Sequence, residues 1–197
     1  MSVRIYKIGG SGATTGVLKG VHSLITISIG QTTSQSTESS ANTTHTMTAN
    51  VVHTAPFIPN QNVDMGTAFI NCTTLAIGGL ARIMVYDDVN GLPNNLLANS
   101  ANIDISTTGV KTTTLKYSFS AGTTYWLAVQ SNSSTAILSA LPVANLLCLA
   151  NNPTTGAPYS IYTASGTFAS GAESTFGSYT SPAYASTPMP FVGINAA

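Results

Sequence analysis

The stretch from Leu80 to Gln130, LARIMVYDDVNGLPNNLLANSANIDISTTGVKTTTLKYSFSAGTTYWLAVQ, decides the fold class. Ile83 and Val85 alternate with Arg82, Met84 and Tyr86. Ile103 and Ile105 alternate with Asn102 and Asp104, and Leu115, Tyr117 and Phe119 with Thr114, Lys116 and Ser118. Apolar side chains at every second position define strands with one buried face. Between the runs come Asn90-Gly91 with Pro93, Thr108-Gly109 and Ala121-Gly122, which supply the positive or fixed φ of a tight reversal. Four strands in about fifty residues predict an all-β chain built as an antiparallel sandwich or barrel.

The whole chain is 197 residues long, enough for one sandwich domain and an extension without metal or disulfide staples. Hydrophobic residues make up 43% of it and charged residues 6%, six basic against six acidic. A typical soluble domain is about a quarter charged, so Thr, Ser, Asn and Gly must cover this surface and the electrostatic field around it is weak. Nothing supplies a basic footprint for nucleic acid or a polybasic segment for a membrane. Low charge also means little colloidal repulsion, which favours association. No run approaches the roughly 18 apolar residues of a spanning helix, and Met1 to Ile8 lacks the apolar core of a secretory signal. The expectation is a product that folds where it is made, with Cys72 and Cys148 as buried free thiols.

Outward from the central stretch, Leu24, Ile25, Ile27 and Ile29 mark a strand, and Gln31 to Ser40 is a polar tip. Thr43, His45, Met47, Ala49 and Val51 alternate as one returning strand. The glycines at 10, 12 and 16 satisfy neither nucleotide-loop spacing, so they read as a turn. Pro56 and Pro59 restrict the residues before them and cannot donate to a ladder. The domain border therefore falls there, with 1–54 an N-terminal β arm and 55–197 the sandwich. Asn62 to Leu75, Ile137-Leu138 and Leu146 to Leu149 add strands, and Met189 to Ile194 reads as a last strand. Residues 150–188 are rich in Gly, Ser and Pro yet carry Tyr159, Tyr162, Phe168, Phe176, Tyr179 and Tyr184. Disordered linkers are poor in aromatics, so this segment reads as an anchored excursion whose rings bind a ligand or a neighbouring subunit.

Enzymatic chemistry has little to work with. The carboxylates are Glu38, Asp64, Asp87, Asp88, Asp104 and Glu173, and the one close pair, Asp87-Asp88, points to opposite faces of a strand end. Asp87, Asp88 and Asn90 form an oxygen-rich loop that is a weak Ca²⁺ candidate. The competing role, turn stabilisation by hydrogen bonds to nearby backbone, is the stronger reading. His45 and His53 share parity on the alternating strand, where eight residues span roughly 26 Å, too far for one metal ion. There is no Cys-x-x-Cys and no nucleophile elbow. Trp126 reads as core rather than as a sugar platform. No cofactor is expected.

The central stretch also resembles a module of tailed-bacteriophage virion proteins. It shares Tyr86 leading into Asp87-Asp88-Val89-Asn90-Gly91-Leu92-Pro93-Asn94-Asn95-Leu96, the turn Thr107-Thr108-Gly109-Val110, and the strand Phe119-Ser120-Ala121-Gly122-Thr123-Thr124-Tyr125-Trp126-Leu127-Ala128. The resemblance covers 57–197. It implies a jelly-roll-like β-sandwich with an N-terminal β-hairpin or arm, in a non-enzymatic structural protein assembled into a virion in the host cytoplasm. The place it implies is the tail fibre or baseplate, with host-surface glycan as ligand and other virion proteins as partners. A capsid decoration or cement role is the alternative, and a free carbohydrate-binding module a second. The resemblance further implies a homo-oligomer, with a trimer favoured.

Overall fold

In the computed structural model, which describes residues 43–59, 61–141, 150–151, 158–177, 183–184 and 188–196, the alternating runs become the strands of two packed antiparallel sheets. The first sheet contains β1 (Thr43–Thr46), β3 (Val63–Thr74), β7 (Gly109–Phe119), β9 (Ile137–Leu141), β13 (Met189–Pro190) and β14 (Gly193–Ala196). The second contains β2 (Val51–Phe57), β4 (Leu80–Val89), β5 (Leu92–Asn99), β6 (Ile103–Asp104), β8 (Tyr125–Ser131), β10 (Ala150–Asn151), β11 (Pro158–Ser165) and β12 (Ala183–Tyr184). In the first sheet β3 is the axis, with β7 on one side and β14 and β9 on the other. The second runs β10-β11-β2-β8-β4-β5. From β1 to β4, and again from β7 to β9, the chain changes sheet at each step, as in a jelly roll.

The expected reversals are present where the central stretch places them. Asn90 and Gly91 both have positive φ, 58° and 79°, the pair of values that a two-residue hairpin of matching twist requires between β4 and β5. Ile83, Val85, Leu127 and Val129 of the second sheet pack against Ile70, Leu138 and Ile194 of the first. Phe57, Phe119 and Tyr125 close one side of this core edge to face, with ring centroids 5.0–5.2 Å apart.

The second sheet is buried on its outer face as well. Val52, Met84, Tyr86, Trp126 and Ala128 form a separate apolar cluster there with Ala164 and Phe176. Its cover is the segment 166–177, which crosses the sheet and is tied to β5 by Leu96 N–H to Ser174 O (2.9 Å) and Phe176 N–H to Asn94 O (2.6 Å).

Several expectations need correction. The run from Thr43 to Val51 is not one strand: β1 ends at Thr46, Asn50 takes φ 66°, and the chain crosses from the first sheet to the second before β2 begins. Residues 43–54 therefore belong to the sandwich, and the expected border at 54/55 falls inside β2. Pro56 is tolerated because β11 pairs β2 only as far as Thr54, so on that side of the strand Pro56 has no ladder partner among the described residues. Residues 158–165, read as part of a loop, form β11. The closing run splits into β13 and β14 around Phe191 and Val192. The strand at 24–29 and the apolar run at 146–149, which includes Cys148, lie outside the described residues.

On the outer face of the first sheet the Phe69 ring lies over its register partner Gly193, and packs edge to face on Phe191 with centroids 5.9 Å apart. A Cβ on Gly193 would stand 2.0 Å from the Phe69 ring. Gly193→Ala is expected to destabilise the fold by about 1–3 kcal/mol through overpacking, read as a fall of several degrees in thermal unfolding. On a Phe69→Ala background the added methyl should cost little. An equal loss on both backgrounds would show that the ring is not what excludes a side chain there.

Candidate functional site

Arg82 stands out in the sequence as a lone charge inside the apolar run LARIMVY. Its parity on β4 opposes that of Ala81 and Ile83, so it projects from the outer face of the second sheet. There it is only 4% exposed, beneath the turn that follows β11. The guanidinium carbon lies 3.9 Å from the centroid of the Phe168 ring, and Nη2 donates to the Phe168 carbonyl. The turn is held from three other points. Gly166 N–H donates to Asn50 O at 2.8 Å, Phe168 N–H to Asn50 Oδ1 at 2.9 Å, and Gln130 Nε2 to Gly166 O at 2.7 Å. Burial pulls the Arg82 guanidinium below its ordinary pKa, opposed by Tyr86 and Glu173.

Above Arg82 opens a cleft of about 750 Å³. Its lining mixes the amides and hydroxyls of Asn50, Asn99, Ser100, Asn102, Asn132 and Thr167 with the apolar Leu80, Ala101, Phe168 and Ala172. Some of these groups hold the backbone. Asn132 Oδ1 accepts from Leu80 N–H (2.7 Å) and Ser100 Oγ from Ile83 N–H (3.0 Å). The Asn102 amide is exposed and, like the Thr167 hydroxyl, has no hydrogen bond among the described residues. Such a cleft offers one cation at its floor and neutral donors and acceptors around its mouth. With the apolar side chains beside them, these groups suit a ligand that carries both hydroxyls and an apolar face.

A second polar feature lies between the sheets. His45 and His53, expected roughly 26 Å apart along one strand, have ring centroids 4.5 Å apart. The crossover at 47–50 turns one strand into two, one in each sheet, and points both rings into the interface, 8% and 5% exposed. Neither Nε2 has a hydrogen-bond partner among the described residues. Burial, and then the neighbouring His45, push His53 down to about 3. Burial lowers His45 as well, opposed by its hydrogen bond with the Pro188 backbone. Two imidazoles fall short of the three or four protein ligands of a zinc site, and no group of three His, Cys, Asp or Glu side chains occurs among the described residues.

The six aromatics proposed as a binding surface separate. Phe168 is buried against Arg82, and Phe176 is buried edge to face on Tyr86 at 5.3 Å, so both anchor the excursion to its own sheet, and Phe168 also lines the cleft. Tyr159 and Tyr184 are register partners across β11 and β12, and Tyr162 pairs with Thr54 of β2. Tyr179 lies outside the described residues. In the Ca²⁺ candidate loop, Asp87 accepts from Asn95 N–H (2.5 Å) and Asn95 Nδ2 (2.9 Å). Asp88 accepts from Trp126 Nε1 (2.8 Å) and Gly91 N–H (3.1 Å). Both carboxylates thus stabilise the hairpin, with Asn90 in its turn. Trp126 is fully buried, and Cys72 is a buried free thiol whose Sγ lies 3.3 Å from Thr74 O. No family model matches the chain, and comparison with curated proteins also finds no match.

The buried imidazoles make stability depend on pH. Above 6.5 both are neutral whether the chain is folded or not. Between 6.5 and about 3 the unfolded chain binds a proton at position 53 that the folded chain refuses, so stability must fall as pH falls through this window. The expected slope is about 1.4 kcal/mol per pH unit for that group. Urea unfolding midpoints measured from pH 7 to 4 should show a flatter decline in His53→Gln. An unchanged slope in that variant would assign the acid sensitivity to other groups.

Proposed function

We propose that this chain is a non-enzymatic structural protein of a bacteriophage virion, displayed on the particle in the tail-fibre or baseplate region, and that its sandwich binds host-surface glycan in the cleft over Arg82. The observation that carries the glycan reading is the rim itself. Amides and hydroxyls on the loops around Arg82 can exchange hydrogen bonds with sugar hydroxyls, and a cleft of this size falls within the roughly 300–1,000 Å³ of small-ligand sites. The virion assignment draws on the likeness of residues 80–130 to phage virion modules and on the low charge of the chain. Four of the five described carboxylates support a non-catalytic reading through the work they do: Asp64 accepts from Ser118 Oγ, Asp104 from Ser106, and Asp87 and Asp88 hold the hairpin.

A second reading, a decoration or cement protein of the capsid, is favoured by apolar side chains at one end of the sandwich. Leu75 and Ile77 follow β3, and Val110 opens β7 opposite Asn71. Ile77 is 96% exposed and Val110 64%. Side chains of this kind suit contact with a neighbouring subunit. In both readings the protein works as a homo-oligomer, with a trimer favoured.

Gold-labelled antibody against the chain, viewed on intact phage particles by electron microscopy, should decorate the tail tip. Label over the head would replace the tail reading with the cement reading, and particles that take no label would overturn both. Light scattering of the purified chain should give a mass about three times 20.2 kDa.

A further inference from the structure

We infer that the cleft over Arg82 takes an acidic sugar, a saccharide unit bearing a carboxylate, with Arg82 as the charge that selects it. This rests on the glycan reading above and narrows it to one chemical class.

Among the Asp, Glu, Lys and Arg side chains of the described residues, Arg82 is the one that is buried. A buried guanidinium normally has a carboxylate within ion-pair distance, because an uncompensated charge in low dielectric is expensive. Here no described carboxylate lies that close. Glu173 acts on it only from longer range, and the nearest compensation is an aromatic face and one carbonyl, both from Phe168.

Nη2 is committed to that carbonyl, and Nε is enclosed without a partner among the described residues. The remaining donor, Nη1, lies beside Gly171 and carries no hydrogen bond among the described residues. Gly171 has φ 97°, which favours glycine, and a side chain there would place its Cβ 3.9 Å from Nη1. The position that would stand over the free donor is thus the one where the backbone disfavours a side chain.

The ligand class follows from combining floor and rim. A neutral sugar would use Asn102 and Thr167 but leave the cation unanswered. A small inorganic anion would answer the cation but leave the rim and most of the roughly 750 Å³ unused. A carboxylated sugar fits both, with the carboxylate toward Nη1 and its hydroxyls on the amides. A charge-assisted hydrogen bond is the strong kind, and it would discriminate against an uncharged analogue.

The test is calorimetric titration of the full chain with a glucuronate-containing disaccharide, its methyl ester, the neutral glucose counterpart, and sodium acetate. The acid should bind at least about tenfold more tightly than the ester, and acetate should not saturate the site. Asn102→Ala changes an exposed rim group without touching the turn, and should weaken the acid severalfold. Arg82→Lys keeps a charge but loses the planar stack on Phe168, and should reduce the preference of acid over ester. Equal binding of acid and ester would overturn the acidic inference and leave the glycan reading standing. Saturation by acetate at the same affinity as the disaccharide would also overturn it, leaving a simple anion site. If none of the sugars binds at millimolar concentration, the inference and the glycan reading fall together.

Discussion

The second sheet has to be covered on both faces, and most of this structure follows from that requirement. Alternation normally leaves one face of an antiparallel strand for water. On β4 and β8 the outward positions hold Met84, Tyr86, Trp126 and Ala128, all fully buried. A second layer must exist to exclude water from them, and the chain supplies it from its own late residues. Ala164 and Phe176 complete the apolar cluster, Phe168 stacks on Arg82, and the segment between them is stitched to β5 and to the Asn50 turn. The cleft is the gap that this cover leaves at the Arg82 end of the sheet.

A surface this poor in charge puts unusual weight on amides and hydroxyls. Asn50 caps the turn over Arg82, Asn132 fixes the start of β4, and Asn95 meets Asp87 across the hairpin. Among the described carboxylates, Asp87, Asp88 and Asp104 accept from backbone N–H groups and Asp64 from the Ser118 hydroxyl. Asp88 is the clearest case: one oxygen accepts from the buried Trp126 indole and the other from Gly91 in the turn, so it links the outer core to the β4–β5 reversal. Networks of this sort hold a defined geometry without relying on salt-sensitive pairs. The same residue types, where left without partners at the cleft mouth, become the groups a ligand can use.

The histidine pair shows how the two sheets are joined at the other end of the described chain. β1 and β2 lie in different sheets, and the link between them is pinned by Met47 N–H to Ala136 O and Asn50 N–H to Ser131 O. His45 and His53 meet in the interface as a consequence, close to the returning segment at Pro188. Two imidazoles held without strong acceptors are tolerable only while neutral, which is why this part of the core is sensitive to acid.

The central stretch could be read from sequence because strand periodicity and turn chemistry are local. Ile83 and Val85 against Arg82 and Met84, the Asn90-Gly91 pair, and Leu115 and Phe119 on one parity all depend on neighbours within a few residues. By itself the sequence therefore determined an all-β chain with these strands and reversals. Arg82 read only as an outward position of its strand, and its burial was hidden, since Phe168 and Asn50 reach it from distant parts of the chain. The break at 47–50 was hidden because parity survives it, with His45, Met47, His53 and Phe57 all facing the core. Where the two strands part, the border at Pro56, and the role of Phe168 and Phe176 as anchors depend on which sheet each segment joins. Only the tertiary structure decided these, because sheet membership is set by long-range burial and pairing that no local window contains.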